Sequence, residues 1–333
     1  MPHIVMELLR PILVTTAQGS RHVILDPSYW RCGRNGSDDV NSERVSSEQP
    51  LATQLRELWA RVDMQEMTSD AAMAEQERLL AGYRQIWGAA LKLKGERDLT
   101  HSTLVELAAR HQTSDLAVVR RRCEDAVKQL KTAWDNDVTT VDTVHVERFY
   151  DRTALFIDEL MWWHTLSEDD TPLAYVAALK FAASHGARNV LDFGSGVGSG
   201  GLLFVRNGFD VTLADISSVL LEFCAWRFKT RGLAARFIDL KSERLPKQAF
   251  EFITAMDVFE HLTEPVETVD LLADALKPGG YIFGRFASDI DPDRPMHIVQ
   301  DFDPVFARFG ELGFTEVWRD DWLWGHQVFR KPG

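Results

Sequence analysis

The stretch that decides the fold runs from Asn189 to Ser217 and reads NVLDFGSGVGSGGLLFVRNGFDVTLADIS. A short apolar run ends at Leu191, Asp192 follows it, and a cluster of glycines fills the next turn. Glycines between a strand and a helix let the backbone turn sharply and bring its N–H groups close to a ligand. The apolar residues that follow predict a second strand, which ends on Asp215. A carboxylate at that strand tip can accept hydrogen bonds from two ribose hydroxyls.

Beyond Asp215, predicted strands alternate with predicted helices. Strands are expected at residues 235–240, 249–256, 281–286, 314–319 and 323–330, helices at 219–229 and 266–276, and a turn at 277–280. A further helix, Leu173 to Ser184, leads into the first strand. This alternation is typical of the α/β class with a parallel, doubly wound sheet.

The glycines between Asp192 and Asp215 resemble the cofactor site of class I S-adenosylmethionine (SAM) methyltransferases. The segments DVFEHL at 257–262 and LKPGG at 276–280 stand where that family has them. The glycines also fit the dinucleotide pattern G-x-G-x-x-G, but neither downstream segment is expected of a nicotinamide enzyme. The resemblance covers residues 146–333 and implies a seven-stranded, mostly parallel, Rossmann-like sheet of order 3-2-1-4-5-7-6.

The resemblance also implies a set of cofactor-binding residues, namely Asp192, Gly194, Ser195, Gly196, Gly198, Asp215, Ile216, Asp239, Leu240 and Asp257. The glycines would let the loop approach the methionine part and the ribose of SAM. Asp192 would help to hold the methionine ammonium, a role compatible with capping the N–H groups of the loop. Asp215 would accept from the ribose hydroxyls, and Asp239 from the adenine amine.

Methyl transfer from a sulfonium depends largely on positioning and desolvation, and it needs a base only if the acceptor must lose a proton. His261 is the first candidate base, and His297, in a loop where a lid would sit, is the second. By the resemblance, the segment before the first strand shapes the pocket, with Tyr150, Arg152, Glu159, Trp163, His164 and Tyr175 as candidates. Tyr150, His164 and Tyr175 are, with His261, the candidate catalytic residues. Ordinary core packing is the alternative for each of these side chains. An aromatic face near the sulfonium would stabilise the cation.

The stretch 51–145 has a different texture, because glycine is nearly absent and apolar residues recur at helical spacing. We expect a helical accessory or cap domain at 51–145 and the catalytic domain at 146–333. Thr103 fits a capping box and Ser114 a helix cap. Residues 1–50 are expected to contain a hairpin of residues 10–16 and 22–26, followed by a Gly- and Ser-rich loop.

The amino-acid composition limits which classes of binding partner are expected. The 333 residues carry a formal net charge of -13, which disfavours nucleic acid as a partner because phosphates are also anionic. The sequence has no apolar run near the ~20 residues of a membrane span and no continuous signal-peptide core, so a cytoplasmic protein is expected. No Cys/His cluster involves Cys32, Cys123 or Cys224, and no acidic metal set of the catechol type is visible. The sequence therefore predicts no metal.

Together these patterns predict a SAM-dependent methyltransferase that acts on a small-molecule acceptor, with the helical domain covering the site or forming a homodimer interface. Two alternatives stay open. One is a SAM-consuming cyclase similar to azetidine-2-carboxylate synthases, which would close the aminobutyrate chain of SAM and release methylthioadenosine. The other is a helical interaction module that carries a non-catalytic SAM-binding domain.

Overall fold

The computed structural model describes residues 13–15, 21–23, 50–287 and 291–333. The chain divides into two units, Met1–Ser47 and Glu48–Gly333. In the first unit, strand β1 (Leu13–Thr15) pairs antiparallel with β2 (Arg21–Val23). The predicted loop at residues 31–49, with Cys32, lies outside the described residues.

The second unit begins with helices. Their bounds are Leu51–Asp63 (α1), Ser69–Leu91 (α2), Leu99–Arg110 (α3), Leu116–Glu124 (α4), Ala126–Asp137 (α5), Thr143–Arg152 (α6), Leu155–Trp163 (α7) and Ala174–Ser184 (α8). A 3-10 turn, Thr171–Leu173, opens α8 at the predicted position. Within the described part of the chain, no helix is long and apolar enough to cross a bilayer.

Two predicted helix starts are wrong. The carboxylate of Asp98 accepts a hydrogen bond from the N–H of His101 at 2.7 Å, so α3 begins before Thr103. Asp115 caps α4, accepting from the N–H of Ala117 at 3.0 Å, one residue after Ser114. In both places an aspartate, and not the predicted hydroxyl residue, is the N-cap. Aspartate is among the residues most favoured at that position.

The rest of the unit is a seven-stranded sheet. Its strands are Asn189–Phe193 (β3), Asp210–Asp215 (β4), Arg236–Asp239 (β5), Phe250–Ala255 (β6), Leu276–Arg285 (β7), Thr315–Arg319 (β8) and His326–Arg330 (β9). The helices between them are Ser199–Arg206 (α9), Ser218–Thr230 (α10), Pro265–Ala275 (α11) and Asp303–Glu311 (α12).

The sheet order is β5-β4-β3-β6-β7-β9-β8. Strands β3 to β7 run parallel, and β9 pairs antiparallel with both β7 and β8. Counted from β3, this is the order 3-2-1-4-5-7-6. The predicted fold class, α/β with a doubly wound Rossmann-like sheet, is therefore confirmed.

One strand begins earlier than predicted. Strand β7 starts at Leu276, opposite Phe250, whereas the prediction placed a turn at 277–280 and the strand start at Tyr281. The pairing register shifts between these points, so residues 277–280 bulge from the strand. Gly279 has φ +75°, a left-handed conformation that favours glycine. The turn-forming residues therefore shape a bulge at the start of the strand.

The helices before residue 146 share a core with the sheet. Trp87 of α2 is fully buried in one apolar cluster with Phe204 of α9 and Phe252 of β6. Its ring stacks on that of Tyr175 in α8, with ring centroids 5.8 Å apart. Its indole N–H donates to the backbone oxygen of His164 at 2.9 Å. Residue 145/146 as a domain boundary stays a prediction.

A buried ion network joins α3 to α10. The Glu106 carboxylate pairs with Arg227 at 3.2 Å and accepts from Arg231 at 2.8 Å, and the side chains are only 2–3% exposed. Arg227 also donates to the backbone oxygen of Val197 at 2.6 Å. Burial alone would raise the pKa of Glu106, but the two guanidinium groups hold it below its ordinary value.

We predict that Glu106→Gln lowers the free energy of unfolding by about 3–5 kcal/mol, because it leaves two buried guanidinium groups without their carboxylate. The matched control is Glu243→Gln, whose pair with Arg236 spans 3.7 Å between half-exposed side chains. That control should change stability by no more than about 0.5 kcal/mol. Urea unfolding followed by circular dichroism measures both, and equal effects of the two substitutions would contradict the prediction.

Candidate active site

A cavity of about 640 Å³ opens at the carboxyl ends of β3, β4 and β6. In the sheet, β3 lies between β4 on one side and β6 on the other, so the strand order changes direction at β3. Ligands bind in open α/β sheets at such a point, outside the carboxyl ends of the strands. Most of the predicted site residues line this cavity: Tyr150, Glu159, Trp163, His164, Tyr175, Gly194, Ser195, Gly196, Asp215, Ile216, Leu240, Asp257, His261 and His297. Residues from distant parts of the sequence therefore meet around one space.

Other predicted residues lie outside the cavity lining. Asp192 is fully buried below the glycine loop, and its Oδ1 accepts from the Thr254 hydroxyl at 2.8 Å. Asp239 pairs with Lys241 at 3.1 Å and accepts from its N–H at 2.9 Å. Gly198 is the N-cap of α9, and Arg152 is exposed at the end of α6. Direct contacts of these four residues with a cofactor stay predictions.

The loop after β3 is built from positions that favour glycine. Gly194, Gly196 and Gly198 have φ of +66°, +51° and +74°. A Cβ at Gly194 would lie 2.5 Å from Cγ2 of Val258. A Cβ at Gly198 would lie 2.9 Å from the Sγ of Cys224. The loop is therefore held in left-handed backbone and packed against its neighbours, which fixes the cavity floor.

Asp215 ties this loop to the next strand. Its Oδ2 accepts from the N–H of Gly196 and its Oδ1 from the N–H of Ser217, both at 2.9 Å. Burial raises the pKa of Asp215 to about 6, and the backbone N–H donors oppose that rise. An ionised carboxylate has about four acceptor positions, so acceptor capacity remains for a ligand in the cavity.

Two further carboxyl groups, the buried Asp192 and the half-buried Asp257, lie close to the cavity. Burial raises the pKa of Asp192 to about 7, and its Oδ2 has no hydrogen-bond partner among the described residues. Burial also raises the pKa of Asp257, whereas Arg285, 3.3 Å away, lowers it. With Asp215, these groups create an acidic environment that suits a ligand carrying positive charge.

A tyrosine–histidine pair also lines the cavity. The Tyr150 hydroxyl lies 2.9 Å from Nδ1 of His261, and that Nδ1 lies 3.0 Å from the backbone oxygen of Met296. Burial and the neighbouring His297 lower the pKa of His261 to about 3, so the imidazole is neutral at neutral pH. A neutral ring that donates from Nδ1 to a carbonyl keeps a lone pair on Nε2. Burial raises the pKa of Tyr150 well above its ordinary value.

The remaining wall is aromatic. His164 Nδ1 lies 2.9 Å from the Ser199 hydroxyl, and burial lowers the pKa of His164 to about 3. Adjacent tryptophans point apart, as the ~100° step of a helix requires. Trp163 lines the cavity, whereas Trp162 is buried with the guanidinium of Arg120 5.2 Å from its ring centroid.

Sequence reasoning did not single out Glu260, Arg294 or Trp324, which also line the cavity. Arg294, in the loop after β7, pairs with Glu159 of α7 at 3.0 Å and so ties that loop to the helices. Its position between prolines in the predicted lid was the only signal available. Glu260 was visible only as the neighbour of His261.

Residues 162–308 match the family model described as a methyltransferase domain. The matched part of the chain therefore carries a methyltransferase domain. It is 28% identical over 131 residues to a ubiquinone biosynthesis O-methyltransferase of Photorhabdus laumondii, covering 37% of this chain and 54% of that protein. The protein of the same description from Nitrosospira multiformis is 26% identical over 157 residues, covering 45% and 63%. The chain thus spans between half and two thirds of the length of these curated relatives.

Solved methyltransferase structures also resemble the chain. The N-methyltransferase NodS from Bradyrhizobium japonicum WM9, in complex with S-adenosyl-L-homocysteine (SAH), is 18% identical. The match covers 61% of this chain and 99% of that one, with a TM-score of 0.41.

The residues of the methyltransferase domain fit its cofactor, SAM. The glycine loop leaves no room for a Cβ at Gly194 and brings backbone close to the cavity. The Asp215 carboxylate has acceptor positions to spare for hydroxyl groups. Asp192 contributes a buried oxygen, Oδ2, that lacks a hydrogen-bond partner among the described residues. This acidic, hydrogen-bond-accepting end suits the ribose and the ammonium of SAM.

We predict that SAH binding weakens as pH falls from 7.5 to 5. The pKa of Asp215 is about 6 in the free protein, above its ordinary value, so the carboxyl gains a proton across this range. If the ionised form accepts the ribose hydroxyls, affinity falls by up to about tenfold per pH unit below that pKa. Calorimetric titration at several pH values measures the slope.

Asp215→Asn should bind SAH more weakly and with a shallower pH slope, because only Asp192 of the two carboxyl groups that titrate in this range is left. The matched control is Asp210→Asn at the exposed start of the same strand, which should keep the wild-type slope. A slope that is unchanged in Asp215→Asn would show that Asp215 does not receive the ligand.

Proposed function

We propose that the protein is a SAM-dependent methyltransferase that methylates a hydroxyl oxygen of a small, largely apolar molecule. The observation that carries this proposal is the continuity of the cavity. One cavity is lined by the glycine loop with Asp215, by His261, and by the apolar side chains of Val127 and Leu130 on α5. The glycine loop and Asp215 suit SAM, and the apolar side chains from α5 suit an apolar acceptor in the same cavity.

The choice of oxygen rests on two supports. The curated relatives are described as O-methyltransferases, although the chain covers only part of their length. A hydroxyl acceptor also needs a group that receives or directs its proton, and Tyr150 and His261 form such a pair at 2.9 Å. In this proposal His261 accepts the proton of the acceptor, and Tyr150 holds the imidazole in position.

When bound, SAM supplies a methyl group on a positively charged sulfur. The protein would then contribute mainly orientation and the exclusion of water. The aromatic wall of Tyr150, Trp163 and Tyr175 would shield the reacting centre and stabilise the cation by about 0.5–2 kcal/mol. The buried carboxyl groups would hold the amino acid and ribose parts of the cofactor.

Helices α5 and α6 would set the choice of acceptor, because Val127, Leu130, Thr143, Val146 and Glu147 line the cavity from these helices. A cap of this kind agrees with the predicted accessory role of residues 51–145. A homodimer through the helical region, the absence of nucleic-acid and membrane partners, and a cytoplasmic location are part of the same proposal.

We expect the protein to convert SAM to SAH in the presence of a hydroxylated aromatic acceptor, with the methyl label on oxygen. A panel of phenols, catechols, amines and thiols with methyl-labelled SAM measures this, and mass spectrometry identifies the products. Methylthioadenosine from SAM alone would support the cyclase alternative instead. Tight SAH binding with no turnover on any acceptor would favour the non-catalytic module.

Tyr150→Phe should lower kcat by roughly tenfold while leaving the Kd for SAH unchanged, because it removes one hydrogen bond to His261. The control is Tyr281→Phe, whose ring packs against His185 and Phe181 away from the cavity lining. Parallel losses of turnover and melting temperature in Tyr150→Phe would assign that residue to packing alone.

A further inference from the structure

Three side chains of the cavity form a cluster, and the proposed methyl transfer gives a role to only one of them, His261. Glu260, His261 and His297 each offer a ligand atom, and these atoms all lie within 4.8 Å of one another. All three residues line the cavity. Two imidazoles and one carboxylate at such spacing are a donor set for a metal ion.

The fold holds the cluster together through its backbone. Glu260 and His261 lie in the 3-10 turn Phe259–His261 after β6, and His297 lies in the loop after β7. The backbone oxygen of Glu260 accepts from the N–H groups of Ile298 and Val299, at 2.8 and 3.0 Å. The two segments are therefore fastened to each other beside the three side chains.

The hydrogen bonds of the two histidines leave a ring nitrogen of each for a ligand role. The contact of His261 Nδ1 with the Met296 carbonyl leaves Nε2 as the ligand atom, and metal-bound histidines commonly donate their other ring nitrogen in this way. The Nδ1 of His297 is buried and makes no hydrogen bond with any described residue. The two rings lie 4.8 Å apart between centroids and are inclined by 74°, so they converge without stacking.

The surrounding charges leave room for a cation. Both nearby guanidinium groups are matched by carboxylates, Arg285 by Asp257 at 3.3 Å and Arg294 by Glu159 at 3.0 Å. Glu260 is only 1% exposed, so its carboxylate lies inside the protein. A divalent cation beside Glu260 would therefore not face an excess of positive charge.

We propose that Glu260, His261 and His297 bind one divalent transition-metal ion of the Zn²⁺, Co²⁺ or Fe²⁺ class, with open coordination positions facing the cavity. The nitrogen ligands favour these ions over Mg²⁺ and Ca²⁺, which prefer oxygen. The sequence predicted no metal because it shows no acidic set of metal ligands. It did not show this mixed cluster, because the cluster joins residues from two separate segments.

The role of the ion rests on the proposed function. An acceptor hydroxyl bound at an open position would have a lowered pKa and lose its proton to solvent. Its oxygen would then bond to the methyl carbon while the carbon–sulfur bond breaks and its electron pair stays on sulfur, which gives SAH. In this role His261 acts as a ligand, and the metal replaces it as the group that activates the hydroxyl.

Titration of the metal-stripped full-length protein with Co²⁺ tests the site without any turnover. We expect visible absorption bands of bound Co²⁺ that saturate at one ion per chain. His297→Ala should weaken Co²⁺ binding at least tenfold and change the bands, and His297→Gln should do the same. Circular dichroism and SAH affinity should stay at wild-type values, which shows that the variants are folded.

The matched control is His185→Ala, since that ring stacks on Phe181 outside the cluster. It should keep the wild-type spectrum and affinity. Absence of bands, or an unchanged spectrum in His297→Ala, would overturn the metal site. Turnover without Co²⁺ binding would leave the methyltransferase proposal standing and remove the metal, whereas Co²⁺ binding without any methyl transfer would do the reverse.

Discussion

The carboxylate of Asp215, clamped between the N–H groups of Gly196 and Ser217 at 2.9 Å each, is the interaction on which the site depends. It ties the loop after β3 to the loop after β4, so two neighbouring strand ends act as one rigid rim. The same carboxylate is buried and lines the cavity. The same carboxylate therefore holds the two loops together and faces the ligand site. The glycines beside it supply the backbone conformation that these hydrogen bonds need.

A second constraint joins this rim to the helices before the sheet. A Cβ at Gly200 would lie 2.2 Å from the ring of Tyr175, so α9 and α8 pack closely only because that residue is glycine. Tyr175 stacks in turn on Trp87 of α2. Changes in the helical region would therefore reach the glycine loop through a continuous set of aromatic contacts.

The sheet was predictable because its signals are local. Apolar runs that end in acids and glycines mark β3 and β4, and the alternation of strands and helices implies the order that the structure confirms. The ends of helices and strands were harder to predict, because several neighbouring residues can each form the cap or the turn. Lys277–Gly280 has turn composition but belongs to a bulged strand that pairs with β6. At Thr103 the capping pattern was outweighed by Asp98, five residues earlier in the chain.

The site was less predictable than the sheet for a related reason. The sequence singled out Tyr150 and His261, but their 2.9 Å contact spans 111 positions in the chain and depends on how α6 packs over the turn after β6. The same holds for the approach of His297 to Glu260, which backbone hydrogen bonds between two loops create. The sequence shows which residue types are present, whereas contacts between residues far apart in the chain depend on the packed structure.

The rim built around Asp215 is expected to receive SAM. A crystal structure of the protein grown with SAH tests it most directly. We expect the ribose hydroxyls within hydrogen-bond distance of the Asp215 carboxylate, with the amino acid part of SAH along the Gly194–Gly198 loop. SAH bound elsewhere, or bound in this cavity with its ribose away from Asp215, would contradict it.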